Sequence, residues 1–412
     1  MVKIKAFPGL RPPEALAATV ASPPYDVLSS AEARKLAANS EKSFLHINKP
    51  EIDLPVDVDP YSTAVYEQGR DNLHRFIEAG WLVQEDAPAI YIYRLTWRGH
   101  TQTGFFCLSS VDDYDTGKIK KHELTRAKKE KDRSDLINTM NAQVGPVFLL
   151  YKANELLDGL LKENSSTEPQ VDFSSEDGVR HELWVVTDNT KLTGITDGFA
   201  ALDATYVADG HHRSASASNV CRERRAANPA FSGEEPFNYF LAAIFPDDQL
   251  QILPYNRVVL DLNGRDRYSF LEEVRARFDL EPANGEITVS HPHTFAMYLD
   301  SKWYYLTPQA GSWNEQDVLE NLDVNILMNE LLVPILGIED PRTDNRIDFI
   351  GGIRGNEELV KLVDEGSFAV AFALYPTTVE MLVGVADAGE IMPPKSTWFE
   401  PKLRSGMVSH LL

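Results

Sequence analysis

The sequence predicts an α+β fold, with mixed sheets and helices at their periphery. Short apolar strand-like runs and amphipathic helical runs follow one another without the strict alternation of a doubly wound sheet. Two pairs of strand-like runs flank short turn segments, as in hairpins. A looser stretch at 280–293 separates a long N-terminal region, 1–282, from a shorter α+β region, 283–412. No internal repeat or low-complexity segment competes with this reading.

Taken in order, Ser29-x-x-Glu32 forms a capping box that starts a helix running to about residue 38. Asp59-Pro60 caps a second helix, whose Val65, Leu73, Phe76 and Ile77 share an apolar face and whose stop is Gly80. Residues 89–97 and 103–111 are strands joined by a hairpin around Arg98-Gly99-His100. A helix over 132–142 and a strand over 146–151 follow, then a polar surface loop over 162–178 and a strand over 181–186. Residues 205–208 form a short strand, and the alanine-rich run 214–227 a helix. Residues 237–245 and 250–259 read as a second hairpin, and 268–278 as an amphipathic helix. The last third holds strands near 295–306, helices over 315–336, a strand over 368–375, and a helix begun by a second capping box, Thr377-x-x-Glu380, and ended by Gly389.

Composition narrows the class of partner. The chain carries a formal charge of -22, with 43% hydrophobic and 25% charged residues. Such an acidic surface argues against nucleic acid and against anionic membranes. No run reaches the roughly 20 apolar residues of a membrane helix, and the first twenty residues, broken by prolines, do not read as a signal peptide. Cys107 and Cys221 form no motif and are read as reduced and buried, in a cytoplasmic protein. The oligomeric state stays open, a homodimer included.

The richest stretch is Asp209-Gly210-His211-His212-Arg213, a glycine turn between a strand and a helix. The first amides of a helix have no internal acceptor, and the helix dipole is positive there, so this turn is suited to an anion, phosphate in particular. Asp209 adds a group for proton transfer or metal binding. The plainer alternative is a structural turn with capping histidines. A second stretch, 118–133, carries eight basic residues against three acidic ones, a local +5 that would concentrate an anionic substrate. Its middle lysines read as a solvated loop, whereas His122, Glu123 and Arg133 are candidates for function. His122-Glu123 alone is no zinc signature, because Arg126 stands where the second histidine is required. The third stretch, from Met392 to Lys402, is stiffened by three prolines. Lys395, Ser396, Thr397 and Lys402 are donors for phosphate or carboxylate, and the alternative is a strand packed by Trp398 and Phe399. The glycines of 349–355 read as a plain turn before a phosphate loop, and Asp26 as a helix cap before a site residue. Zinc spacing and a Gly-x-Ser-x-Gly elbow are absent.

These motifs occur together in a fixed order: Pro24-Tyr25-Asp26-Val27, His122-Glu123-x-Thr125, Asp132-Arg133, Ala208-Asp209-Gly210-His211-His212-Arg213, Leu253-Pro254-Tyr255-Asn256-Arg257 and Met392-Pro393-x-Lys395-Ser396-Thr397. The set resembles a bacterial and archaeal family known as domain of unknown function one thousand and fifteen. Its turn is also similar to the phosphate-binding turn of the ParB/sulfiredoxin superfamily, some of whose members are free serine kinases. The chain departs from the family at Asn256, where a histidine is usual, at Ser214, where a tyrosine is usual, and at Trp398 and Glu400, near which tyrosines are usual. Asn256 therefore has no expected part in proton transfer.

The resemblance implies a ParB/sulfiredoxin-like core with large elaborations and an ATP-dependent kinase converting L-serine to O-phosphoserine with Mg²⁺. ATP, or another nucleotide donor, would lie on Gly210, His211 and Arg213, with Arg133, Lys395, Ser396, Thr397 and Lys402 as further phosphate contacts. Glu123, Asp209 and His212 would be catalytic, with Glu123 favoured as base and Asp209 able to hold Mg²⁺ through water. His122, Thr125 and Asp26 would contact the substrate. The alternatives are a nucleotide-binding regulator without kinase activity and a hydrolase of a phosphate ester.

Overall fold

The computed structural model describes residues 1–412 and is α+β throughout. Its contacts divide into two compact units. The first comprises Met1–Lys121, Thr125–Leu250 and Pro401–Leu412; the second comprises His122–Leu124 and Gln251–Glu400.

The first unit is built on a nine-stranded mixed sheet. Across it run Ile119–Lys120, Thr205–Asp209, Val147–Tyr151, Tyr239–Pro246, His100–Ser110, Ile90–Trp97, Arg180–Val186 and Val171–Ser174, with Ile4–Lys5 added beside His100–Ser110. The expected first hairpin is present. Arg98 (φ 50°) and Gly99 (φ 81°) both take left-handed backbone, which matches the twist of the flanking strands. The strands that lie mid-sheet are apolar on both faces: Tyr91, Tyr93, Phe105, Phe106 and Tyr151 are fully buried. Both cysteines are free and buried.

Helix Ala127–Met140 packs beside helix His211–Ala227. The latter carries a run of small residues from Ser214 to Ser218, all buried, and meets the former through Ser216, Asn219 and Glu223. Ser216 Oγ donates to the Glu130 carbonyl at 3.0 Å, and Asn138 Nδ2 donates to Glu223 Oε2 at 2.8 Å. Residues after Pro401 return to this unit: His410 and Leu411 pair with Gln143 and Ala142, and Ser405 bridges Ser22.

The second unit holds a six-stranded antiparallel sheet in the order Phe278–Ala283, Lys302–Pro308, Phe295–Leu299, Val370–Leu374, Tyr255–Val259 and Ile347–Gly351. Helix Gly355–Asp364 packs on it.

Several local expectations need correction. The middle lysines of the basic stretch are not in a loop: the helix there starts at Ala127, five residues before the expected start, because its first turns dock on the serine-lined helix. The polar run 162–178 contains an edge strand, Val171–Ser174, whose pairing with Arg180–Val186 outweighs its composition. Tyr239–Pro246 and Tyr255–Val259 are not a hairpin. The former pairs with His100–Ser110 and Val147–Tyr151, the latter with Ile347–Gly351 and Val370–Leu374. The second helix starts at Thr63 rather than at Asp59-Pro60, and the last one is capped by Thr378, whose hydroxyl accepts from Met381 N–H, one residue past the expected Thr377. Residues 315–322 are turns ahead of the short helix Asp323–Leu327.

Candidate functional site

In the first unit the sheet and one helix start place the motif. Strand Thr205–Asp209 slips register between Val207 and Asp209, so that Ala208 is the extra residue and Asp209 pairs with Phe148 at the strand's end. Gly210 then adopts φ +96°, a conformation costly for any residue with a Cβ. Helix His211–Ala227 begins at once with no side-chain cap, which leaves its first amides without intrahelical acceptors.

Arg213 folds back over this turn. Its Nη2 donates to Asp26 Oδ2 at 3.1 Å and lies 3.9 Å from Asp209 Oδ1, while Nη1 donates to the Pro146 carbonyl. Lys402 Nζ donates to the other oxygen of Asp209 at 3.1 Å. Burial alone would push the Asp209 pKa up, but the Lys402 ammonium and Arg213 guanidinium outweigh it and hold the carboxyl well below the usual aspartate range. Burial likewise opposes the charge on Arg213, and Asp26 and Asp209 more than offset it, so this guanidinium stays cationic.

Tyr25, from the short 3-10 turn Tyr25–Val27, is the platform for a second cation. The Arg133 guanidinium sits 4.3 Å from its ring centroid and that of Arg213 5.9 Å away. Burial raises the Tyr25 pKa against the pull of Arg133. Arg133 Nε donates to Asp132 Oδ2 at 2.8 Å, and the Tyr66 hydroxyl donates to Asp132 Oδ1 at 3.0 Å. Beside these groups lies a cavity of about 40 Å³ that Tyr25, Asn48, Arg133 and Arg213 help to line.

The remaining first-unit candidates are held by neighbours. His212 Nε2 accepts the Arg126 backbone N–H at 3.1 Å, and its pKa is lowered by burial and then by Lys129, so the ring is neutral at pH 7. His211 is buried at 5% exposure. Thr125 donates its hydroxyl to Glu130 Oε1. His122 and Glu123 belong to the second unit, where the His122 carbonyl accepts from Met392 N–H at 2.8 Å and the His122 ring is buried.

Lys395, Ser396 and Thr397 also belong to the second unit. Lys395 is exposed with φ +60°, and its ammonium lies 5.5 Å from the Tyr255 ring centroid. The buried Arg257 guanidinium, its pKa pushed down to about 10 by burial, donates to the Lys395 carbonyl at 3.1 Å and to the Tyr255 carbonyl. Ser396 Oγ donates to the Pro393 carbonyl at 2.7 Å, and the Ser396 carbonyl accepts from Thr377 Oγ1 at 2.9 Å. Asn256 is a sheet residue whose Oδ1 accepts from Leu374 N–H at 3.2 Å.

The first unit thus gathers Asp26, Arg133, Asp209, Gly210, Arg213 and Lys402 around one helix start. A family described as protein of unknown function, DUF1015, matches residues 4–325. The chain belongs to that family. No curated protein matches the chain. Among solved structures, it is similar to a free serine kinase in complex with AMP, at 14% identity and a TM-score of 0.34, covering 71% of this chain and 86% of that one. A conserved hypothetical protein from Pyrococcus furiosus gives 14% identity and a TM-score of 0.34, with 74% and 95% covered. A C-terminally truncated SbnI from Staphylococcus aureus gives 12% identity and a TM-score of 0.36, with 73% and 85% covered.

Two residues of this candidate site carry little signal in the sequence. Tyr25 stands in the Pro24-Tyr25-Asp26-Val27 motif, and its proline-stiffened surroundings are the signal. Asn48 had none: it ends a short helix, Leu45–Asn48, as one asparagine among many.

Proposed function

We propose that this protein is an ATP-dependent phosphotransferase that acts on the hydroxyl of a free amino acid, converting L-serine to O-phosphoserine. The observation that carries the reading is the uncapped helix start after Gly210, with Lys402, Arg213 and two carboxylates drawn around it in one unit. Helix-start amides, which have no intrahelical acceptor, favour phosphate oxygens. Phosphoryl transfer needs little covalent help from a protein; it needs fixed phosphates and charge matched to the transition state. The motif order along the chain supports the same reading.

In the reaction the serine hydroxyl oxygen bonds to the γ-phosphorus of ATP, the bond from that phosphorus to the β-bridging oxygen breaks, ADP leaves, and the hydroxyl proton passes to a carboxylate. The amides of 211–213 hold phosphate oxygens, and Lys402 and Arg133 neutralise them. Glu123 is the proposed base, and Lys395, Ser396 and Thr397 are proposed hydrogen-bond donors to phosphate oxygens, both on sequence grounds. His122 and Thr125 are proposed substrate contacts on the same grounds. His212 is proposed to act as a neutral ring, since Nε2 already accepts a backbone N–H.

Mg²⁺ fits the residues present. No three His, Cys, Asp or Glu side chains form a metal cage. Mg²⁺ is commonly held by one or two carboxylates plus substrate phosphates. Asp209 is kept ionised, as such a ligand must be, and Asp26 contacts the same guanidinium nitrogen. When bound, the ion would neutralise charge on the phosphate oxygens.

The test is ATP consumption with Mg²⁺, screened against free amino acids. ADP and O-phosphoserine should form in equal amounts, and only when serine is present. ATP hydrolysis indifferent to any amino acid would replace the reading with a hydrolase, and nucleotide binding without turnover would replace it with a regulator.

A further inference from the structure

The cavity beside Arg133 and Arg213 holds hydrogen-bonding groups that the protein leaves unanswered. Asn48 is 3% exposed, yet neither its Nδ2 nor its Oδ1 has a partner. The Nε–H of Arg213, also buried, has none either. A buried carboxamide normally finds partners for both ends, because an unmet one costs stability. Asn48 and Arg213 line one cavity with Tyr25, Arg133 and apolar side chains such as Leu136 and Phe240.

Taken together they specify a complementary ligand. Asn48 Nδ2 and Arg213 Nε are donors and call for an anionic or carbonyl acceptor. Asn48 Oδ1 is an acceptor and calls for a donor immediately beside that anion. A carboxylate and an ammonium on adjacent positions satisfy both, which is the backbone of a free α-amino acid. Size agrees. The cavity measures about 40 Å³, and a water needs roughly 10–15 Å³ in that measure. About three waters fit, with a liquid volume of roughly 90 Å³. That suits an amino acid with a short side chain and excludes a purine.

We propose that this cavity is the acceptor pocket, in which Asn48 binds both ends of a small free α-amino acid and Arg213 Nε shares its carboxylate. The proposal rests on the phosphotransferase reading above and adds where, and by which groups, the acceptor is held. Arg213 then has two tasks: its Nη atoms fix Asp26 and the turn, and its Nε faces the acceptor.

The experiment compares wild type with Asn48→Leu and Asn48→Asp, using L-serine as probe in turnover and, without nucleotide, in calorimetric titration. Asn48→Leu should raise the KM for L-serine at least tenfold and leave the KM for ATP within twofold. Its Tm should hold or rise, since an unmet carboxamide is replaced by an apolar side chain among apolar neighbours. Asn48→Asp keeps the shape and should weaken L-serine by repelling its carboxylate. L-serine methyl ester, whose carboxylate is blocked, should fail as acceptor for wild type. An unchanged KM and binding constant for L-serine in both variants would overturn the pocket, as expected of a cavity holding ordered water only. A fall in Tm for Asn48→Leu with unaltered KM would also overturn it, making Asn48 a packing residue. Absence of serine-dependent turnover in wild type would instead remove the phosphotransferase reading, while calorimetric binding of L-serine lost in Asn48→Leu would still uphold the pocket.

Discussion

Asp209 keeps its charge because two cations face its two oxygens, and each of those cations is fixed by it in return. Asp209→Asn should therefore lower kcat by two orders of magnitude or more while the folded content, followed by circular dichroism, stays intact. The sign of its pH effect follows from the depressed pKa. The ionised carboxyl stabilises the fold above the ordinary aspartate value of 3.8, and that contribution is lost as pH falls below it. Wild type and Asp209→Asn should accordingly differ in urea stability at pH 7 and converge in strong acid. Glu123 is tested separately: Glu123→Gln should reduce kcat by about 10²–10⁴ if it is the general base, with the KM for ATP little changed. The Asp209 turn and Lys402 were legible in the sequence because charged residues next to a glycine turn stand out from their surroundings. Asn48 was not, because an orphaned carboxamide is defined by its surroundings, and those come from segments far apart in the sequence.

Two helices set the site at the scale of elements. Helix His211–Ala227 presents a serine and alanine face, and helix Ala127–Met140 lies against it closely enough for Ser216 to reach the Glu130 carbonyl. Ser216→Leu should force the pair apart and cost about 1–3 kcal/mol in urea unfolding, the usual range for overpacking. Gly210→Ala acts on the same helix from its start. A Cβ there would meet the Arg213 guanidinium at 3.2 Å in backbone already at φ +96°. A loss of about 1–3 kcal/mol is expected, with turnover falling further than stability. Local signals foretold the strand, turn and helix of this motif. They misplaced the start of helix Ala127–Met140, since lysine-rich sequence reads as solvated until a partner helix is known. The false hairpin at 237–259 has a similar cause. Two apolar runs beside a turn pair locally by default, and here each finds longer-range partners.

For the whole molecule, the α+β class was readable from the irregular mixing of elements, and no helix is long and apolar enough to cross a membrane. How the chain is shared between two units was less readable, because each sheet joins strands far apart in sequence. Buried histidines give the molecule a definite response to acid. Burial pushes the His410 pKa down to about 4 and the His181 pKa to about 3, against an ordinary 6.5. Both stay neutral when folded, and the unfolded chain takes up their protons first. Stability should thus decline as pH falls from 6.5 toward 4, by up to about 3 kcal/mol for His410 alone. His410→Gln should flatten that slope in thermal melts between pH 7 and pH 4.

Lys402 reaches Asp209 from a segment that follows the whole of the second unit in the chain. A ribosome therefore exposes the Asp209 turn some two hundred codons before it delivers the lysine that neutralises it. Through nearly half of translation the emerging polypeptide carries this carboxylate with only half of its charge partners, and a message cut at codon 400 would yield a product that never acquires the rest.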